Sequence, residues 1–225
     1  MTSRETKKKP VLYFFPGLGA DASLAPMHLI PGYEIHWIEW PKRFGASWDG
    51  FIRELMDEND IEENAVYVGI SFGGLVAQRM AQEIRPRKII FVGSLQTSRS
   101  ISFPFRLLSP FVPILPRFCF RLGLLPRWLI RYFFGIKRPE DVGLFYRMAE
   151  KLNGMKAKKL VELALSEKDG PDGTIPTLSI HGMNDKIIPA ANRFVDIEIH
   201  GGGHLISMTH PKQVNEAISK HLPGD

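Results

Sequence analysis

Gly69-Ile70-Ser71-Phe72-Gly73 joins two runs of different periodicity. Upstream, Ala65-Val66-Tyr67-Val68 is short, apolar and β-branched or aromatic, the pattern of a parallel strand buried on both faces. Downstream, Leu75-Val76-Ala77-Gln78-Arg79-Met80-Ala81 consists largely of helix formers with apolar residues at helical spacing. A serine in G-x-S-x-G between strand and helix sits on a sharp turn. Glycine neighbours let the two elements approach while the Ser71 hydroxyl points outward. The pentapeptide recurs by chance, so its meaning depends on the rest of the chain.

Six runs read as strands: 11–15, 33–40, 65–70, 88–92, 177–181 and 194–200. Helical patterns fall near 48–58, 72–83 and 211–221, with a shorter one around 24–30. Strand and helix alternate, which implies βαβ units and a doubly wound, mainly parallel sheet of α/β class. Ligands of such sheets bind at the carboxyl ends of the strands. Ser71 and the segments after Phe15, Val92 and His181 therefore share one rim. Residues 96–172 interrupt the alternation and are far longer than one crossover helix requires. Prolines at 104, 110, 113, 116, 126 and 139 cut this insertion into short helices.

With 225 residues, 44% hydrophobic and 24% charged, the chain has the make-up of one globular domain, 1–225, with 96–172 inserted in it. A single cysteine, Cys119, excludes an internal disulfide framework and fits a reducing compartment; as a small apolar residue it reads as part of the core or insertion. Lys7-Lys8-Lys9 before Val11-Leu12-Tyr13-Phe14-Phe15 imitates a signal peptide, but Pro16 and Gly17 end the apolar run early. A first core strand behind a basic tail is the better reading. No run of eighteen apolar residues is available to span a membrane. The expected location is cytoplasmic.

The net charge of +5 is unevenly spread. Residues 99–138 hold eight Lys or Arg and no Asp or Glu, so the rest of the chain carries about −3 once these eight are taken from +5. The segment is Leu- and Phe-rich and broken by proline, unlike a nucleic-acid groove.

A serine hydroxyl needs a base, and the base needs an orienting carboxylate. His181-Gly182-Met183-Asn184-Asp185-Lys186-Ile187-Ile188-Pro189 follows the fifth strand, and Gly201-Gly202-Gly203-His204-Leu205 follows the sixth. These motifs, with Ser71 ahead of them, resemble the α/β-hydrolase family. They match its nucleophile elbow, its H-G-x-x-D-x-x-x-P segment and its G-G-H loop, in the order Ser, acid, His. The resemblance covers essentially the whole chain except the insertion, and points to a compact, bacterial-type serine esterase without the two N-terminal strands of larger members. It implies Ser71 as nucleophile, Asp185 as acid and His204 as base. Asp185 could also cap a turn or helix over 186–192. Asp169, Asp172 and Asp196 stand before or inside strands, and His200 and His210 read as structural; in the family His181 shapes the loop.

The resemblance also assigns two backbone oxyanion donors. One is Phe72, after the nucleophile; the other is Leu18 in Phe15-Pro16-Gly17-Leu18-Gly19. That loop resembles the family's H-G-x-G loop with Pro16 in place of His. Trp40-Pro41-Lys42-Arg43-Phe44-Gly45-Ala46-Ser47 is a degenerate form of the D-x-P-G-x-G-x-S loop. The family carries its cap where 96–172 falls, so this insertion is expected to be a lid.

The insertion's many Phe and Leu suit a hydrophobic acyl or alkyl group. Arg117/Arg121 and Arg127/Arg131 are i,i+4 pairs of like charge, mildly unfavourable alone. Arg117, Arg121 and Trp128 are thereby candidate substrate-binding residues. An acidic acyl carrier protein, a substrate carboxylate or phosphate, or an anionic membrane surface would suit the arginines. A solvated face whose arginine stems cover apolar surface is the plain alternative. The reading is a hydrolase of small carboxylic esters with a hydrophobic acyl part, with neither metal nor cofactor. Its rivals are a thioesterase or acyl-carrier-protein ester hydrolase, C–C or cyanohydrin lysis, and a binding protein with a relict triad. A dehalogenase is disfavoured, because it would have Asp where this chain has Ser71.

Overall fold

The computed structural model describes residues 9–45 and 47–222. The basic tail at Lys7 and Lys8, and Ala46 of the 40–47 loop, lie outside the described residues. Val11–Phe15 forms β1, with all five residues buried, flanked by Glu34–Trp37 (β2) and Val66–Ile70 (β3). Lys88–Val92 (β4), Thr177–Gly182 (β5) and Ile197–Ile199 (β6) complete a sheet of order β2-β1-β3-β4-β5-β6. Every neighbouring pair is parallel, as the alternating pattern predicts. The chain reverses its direction of winding between β1 and β3, so the crevice above their carboxyl ends is the topological switch point.

The two edge strands are shorter than their sequence patterns by four residues each. The edge strand β2 gains a ladder bond beyond its end, from the Ile38 amide to Phe14 at 2.9 Å, before Pro41 removes a donor. Ahead of β6, the Asp196 carboxylate accepts from the Ser179 amide at 2.7 Å, so a side chain takes a position that a backbone carbonyl would fill in a longer ladder.

Strand side chains alternate between two faces. Tyr13, Phe15, Tyr67 and Phe91 pack under Trp48–Glu58 (α1) and Gly73–Glu83 (α2), whereas Leu12, Phe14, Val68 and Ile90 face the opposite layer. The two buried tyrosines keep their hydroxyls bonded, to Asp60 at 2.9 Å and Ile84 at 3.0 Å. Ser47 caps α1 by accepting from the Gly50 amide at 3.2 Å. The short helix expected at 24–30 is a tight 3₁₀ turn, Ala22–Met27, capped by Asp21 and containing Pro26.

Between β4 and β5 run Phe103–Leu108 (α3), Arg127–Phe134 (α4), Pro139–Lys151 (α5) and Gly154–Ser166 (α6), joined through 3₁₀ turns. Prolines start the first three, with Pro104 in the first turn of α3, Pro126 directly before α4 and Pro139 opening α5, whereas Asn153 caps α6. Arg117 and Arg121 do not share an α-helical face, because Arg117–Phe120 is a four-residue 3₁₀ turn and Arg121 ends it. The chain closes with Ile206–Thr209 (α7) and Pro211–His221 (α8), the latter covering the second face of the sheet with Val214 and Ile218. Among the described residues no helix is long and apolar enough to cross a membrane.

Candidate active site

Ser71 stands on the turn between β3 and α2 with φ of 51°, a left-handed conformation that costs a non-glycine residue on the order of 1–3 kcal/mol. Neighbours hold it there. Its amide donates to Val92 at 3.2 Å, and its carbonyl accepts from the Leu95 amide at 3.0 Å and the Ser94 hydroxyl at 2.7 Å. The elbow glycines are needed for close approach: a Cβ on Gly69 would lie 2.4 Å from Gly74 Cα, and one on Gly73 only 1.9 Å from the Phe15 carbonyl oxygen.

The three motifs meet at this point. The Ser71 hydroxyl donates to His204 Nε2 at 2.8 Å, and His204 Nδ1–H donates to Asp185 Oδ2 at 2.8 Å. The second carboxylate oxygen of Asp185 accepts from the Ile187 and Ile188 amides at 2.8 and 2.9 Å. Asp185 thus both orients the imidazole and closes its own turn. No helix spans 186–192, because the chain becomes extended at Pro189 and only Ala190–Asn192 forms a 3₁₀ turn. Burial alone would raise the Asp185 carboxyl, but His204 and the loop amides hold it below the usual carboxylate range.

His181 lies beneath this pair, fully buried. Its Nε2–H donates to the Ile188 carbonyl at 2.7 Å and stands 3.4 Å from Asp185 Oδ2. Burial, helped by the Arg193 charge, pushes it down to about 4, so it is a neutral brace for the acid loop. The other competitors are elsewhere. His200 is 84% exposed beside Glu198, His210 bonds Thr209 at 2.8 Å, Asp172 accepts from Thr174, and Asp169 donates its amide to Glu167.

Two supporting residues escape the sequence patterns. Ser94 bonds the Ser71 carbonyl, and Arg193 donates to the Ser94 carbonyl and to Ser179 Oγ at 3.0 Å. Burial lowers Arg193 to about 10, so it stays cationic at neutral pH. A serine after β4 and an arginine in a loop carry no distinguishing spacing; only the fold stacks them under the elbow.

Ser71 and His204 open into a cavity of about 410 Å³. Its wall runs from Leu18 and Phe72 across Phe105, Leu125, Phe133 and Val161, and no residue lining it is charged. The amides of Leu18 and Phe72 have no hydrogen-bond partner among the described residues, and the first-strand loop presses on the serine: a Cβ on Gly17 would lie 3.1 Å from Ser71 Cβ. The insertion meets the site through α4. Gly135, at φ of 72°, ends that helix against Gly203, the Leu205 amide donates to Phe134 at 3.3 Å, and the Phe134 ring stands 5.9 Å from His204. Arg117, Arg121 and Trp128 do not line the cavity. Trp128 borders a separate, shallower depression with Arg131, Tyr132, Lys137 and Lys186. No group of three or more His, Cys, Asp or Glu among the described residues could hold a metal ion.

The model of the alpha/beta hydrolase family matches residues 13–217. Among curated proteins none matches the chain. Solved structures share the fold. A putative lipase from Acinetobacter baumannii AYE superposes with a TM-score of 0.72 at 16% identity, covering 96% of this chain and 84% of the other. An esterase from Exiguobacterium antarcticum gives 0.71 at 15%, covering 94% and 91%. A bromoperoxidase from Bacillus anthracis gives 0.68 at 22%, covering 94% and 91%.

Proposed function

Because this chain belongs to the alpha/beta hydrolase family, we propose that it is a serine hydrolase of carboxylic esters with a hydrophobic acyl part. The observation that carries the reading is the unbroken hydrogen-bond chain Ser71–His204–Asp185 at the mouth of an uncharged cavity. Ser71 Oγ attacks the ester carbonyl as its proton passes to His204 Nε2, and Asp185 keeps Nδ1 protonated and stabilises the imidazolium. The Leu18 and Phe72 amides receive the tetrahedral oxyanion, where one such donor is worth about 3 kcal/mol. His204 then protonates the departing alcohol. Water, deprotonated by the same imidazole, releases the acid and restores Ser71. The acyl chain lies in the cavity, away from solvent, and 96–172 is the lid over it. The esterase and the putative lipase among the structural neighbours fit this chemistry.

Fluorophosphonate labelling with intact-mass readout tests the assignment. Wild type gains one adduct; Ser71→Ala gains none and loses at least about a thousandfold in turnover of p-nitrophenyl esters. Equal labelling of the folded Ser71→Ala protein overturns it. A matched panel of oxygen esters and CoA thioesters then decides which leaving group is preferred.

A further inference from the structure

The outer face of the insertion is unlike the rest of the surface. Among the described residues, ten of the fourteen large hydrophobic residues that stand exposed fall between 103 and 132. Helix α3 buries none of its six residues, although Phe103, Phe105, Leu107 and Leu108 make up most of it. In α4 the sides divide sharply. Leu129 and Phe133 line the cavity, while Arg127, Trp128, Arg131 and Tyr132 face out, so two cations and two aromatic rings alternate at i,i+4 spacing. Isolated exposed apolar residues are ordinary; a concentration of this kind marks an interaction surface.

Charge identifies what the surface faces. Among the eight basic residues of 99–138, Arg138 alone pairs with carboxylates, those of Glu140 and Asp141; the other seven have no such partner among the described residues. Arg131 and Lys137 border the depression beside Trp128, and across it Lys186 Nζ stands 3.3 Å from the centre of the Tyr132 ring. Long cationic side chains interspersed with Trp, Tyr, Phe and Leu, with no Asp or Glu in 99–138 and only the buried Asp185 among the residues lining the depression, match an interface of lipid headgroups over acyl chains.

We propose that this face of the insertion docks on an anionic phospholipid surface. A bilayer fits better than an acidic protein, because the cations are scattered over α3, α4 and the turns between them with bare apolar side chains in the gaps. Phe105 and Leu108 are exposed on this face and also line the cavity, so docking gives an apolar chain a route to Ser71 that avoids water. The surface itself does not depend on Ser71 being a nucleophile.

Sedimentation with extruded vesicles tests this without reference to activity. The wild-type protein and Ser71→Ala bind equally to vesicles of equal parts phosphatidylcholine and phosphatidylglycerol, bind far less to phosphatidylcholine alone, and are released as salt rises. R106Q/R127Q/R131Q loses roughly a hundredfold in partition coefficient. F103S/I114S loses at least about tenfold, with an unchanged circular dichroism spectrum and unchanged hydrolysis of a soluble short-chain ester. Absence of wild-type binding to the anionic vesicles, or equal binding to neutral ones, overturns the proposal. So does capture of an acidic acyl carrier protein, or a dimer broken by F103S/I114S, when vesicles are not bound.

Discussion

Val11–Phe15 and Phe103–Leu108 are both short apolar runs containing two phenylalanines, yet the first is buried at every position and the second at none. Both are mostly apolar, although the second also contains Pro104 and Arg106. Strand β1 is bonded on both edges, to β2 and β3, and covered on both faces, so its side chains have nowhere to go but the core. Helix α3 begins at a proline-containing turn, is six residues long and rests over the cavity. It is too short to be stabilised by its own helix bonds. The sheet side holds the proposed triad with buried hydrogen bonds; the insertion offers apolar surface that its own fold does not consume.

Truncation of one phenylalanine from each run breaks the comparison most directly. Phe15→Ala removes a fully buried ring from the strand that precedes the Leu18 loop and is expected to cost about 4 kcal/mol in urea-unfolding stability. Phe103→Ala, at a ring 64% exposed, is expected to stay within about 0.5 kcal/mol. Equal losses in the two variants would mean that α3 is packed as tightly as β1.

A smaller effect sharpens the account of the sheet rim. His181 titrates near 6.5 in the unfolded chain but is pushed down to about 4 in the fold by burial and by Arg193. The unfolded chain therefore binds more protons in this window, and stability is lost as pH falls from about 6.5 through about 4. Between about pH 7 and about pH 5 this group contributes a loss of about 2 kcal/mol. His181→Gln, which keeps a donor toward Ile188, is expected to flatten the stability profile by that amount relative to wild type. Asp185, lowered by His204 and the loop amides despite its burial, adds a loss of the same sign at more acidic pH.

The smallest expected change concerns the insertion as part of the cavity wall. Val161 on α6 lines the cavity. Val161→Phe fills part of its volume and is expected to lower kcat/KM for a long-chain p-nitrophenyl ester about tenfold relative to a butyrate ester. An unchanged chain-length ratio would show that the acyl group does not enter this cavity.

Much of the site was legible because its chemistry is local. A serine between a β-branched run and a helix-forming run, an acid in a turn after one strand and a histidine in a glycine loop after another each leave a sequence trace. Once six parallel strands stack in the order seen, those three turns share one rim. The braces were not legible. Ser94 and Arg193 act through backbone carbonyls and one hydroxyl, 23 residues from Ser71 in one case and 99 residues from Ser94 in the other, and such contacts impose no spacing. The 3₁₀ turn at Arg117–Phe120 likewise separates two arginines that an α-helical count would have aligned.

By itself the sequence determined the strand and helix alternation and the strand–turn–helix at Ser71, because period and turn chemistry act between near neighbours in the chain; its resemblance to the α/β-hydrolase family pointed to Asp185 and His204. Tertiary structure alone decided the 2.8 Å contacts among those residues, the neutrality of the cavity wall and the exposure of α3. Those properties depend on which surfaces meet once the chain has closed. Packing makes that choice among segments that are both largely apolar.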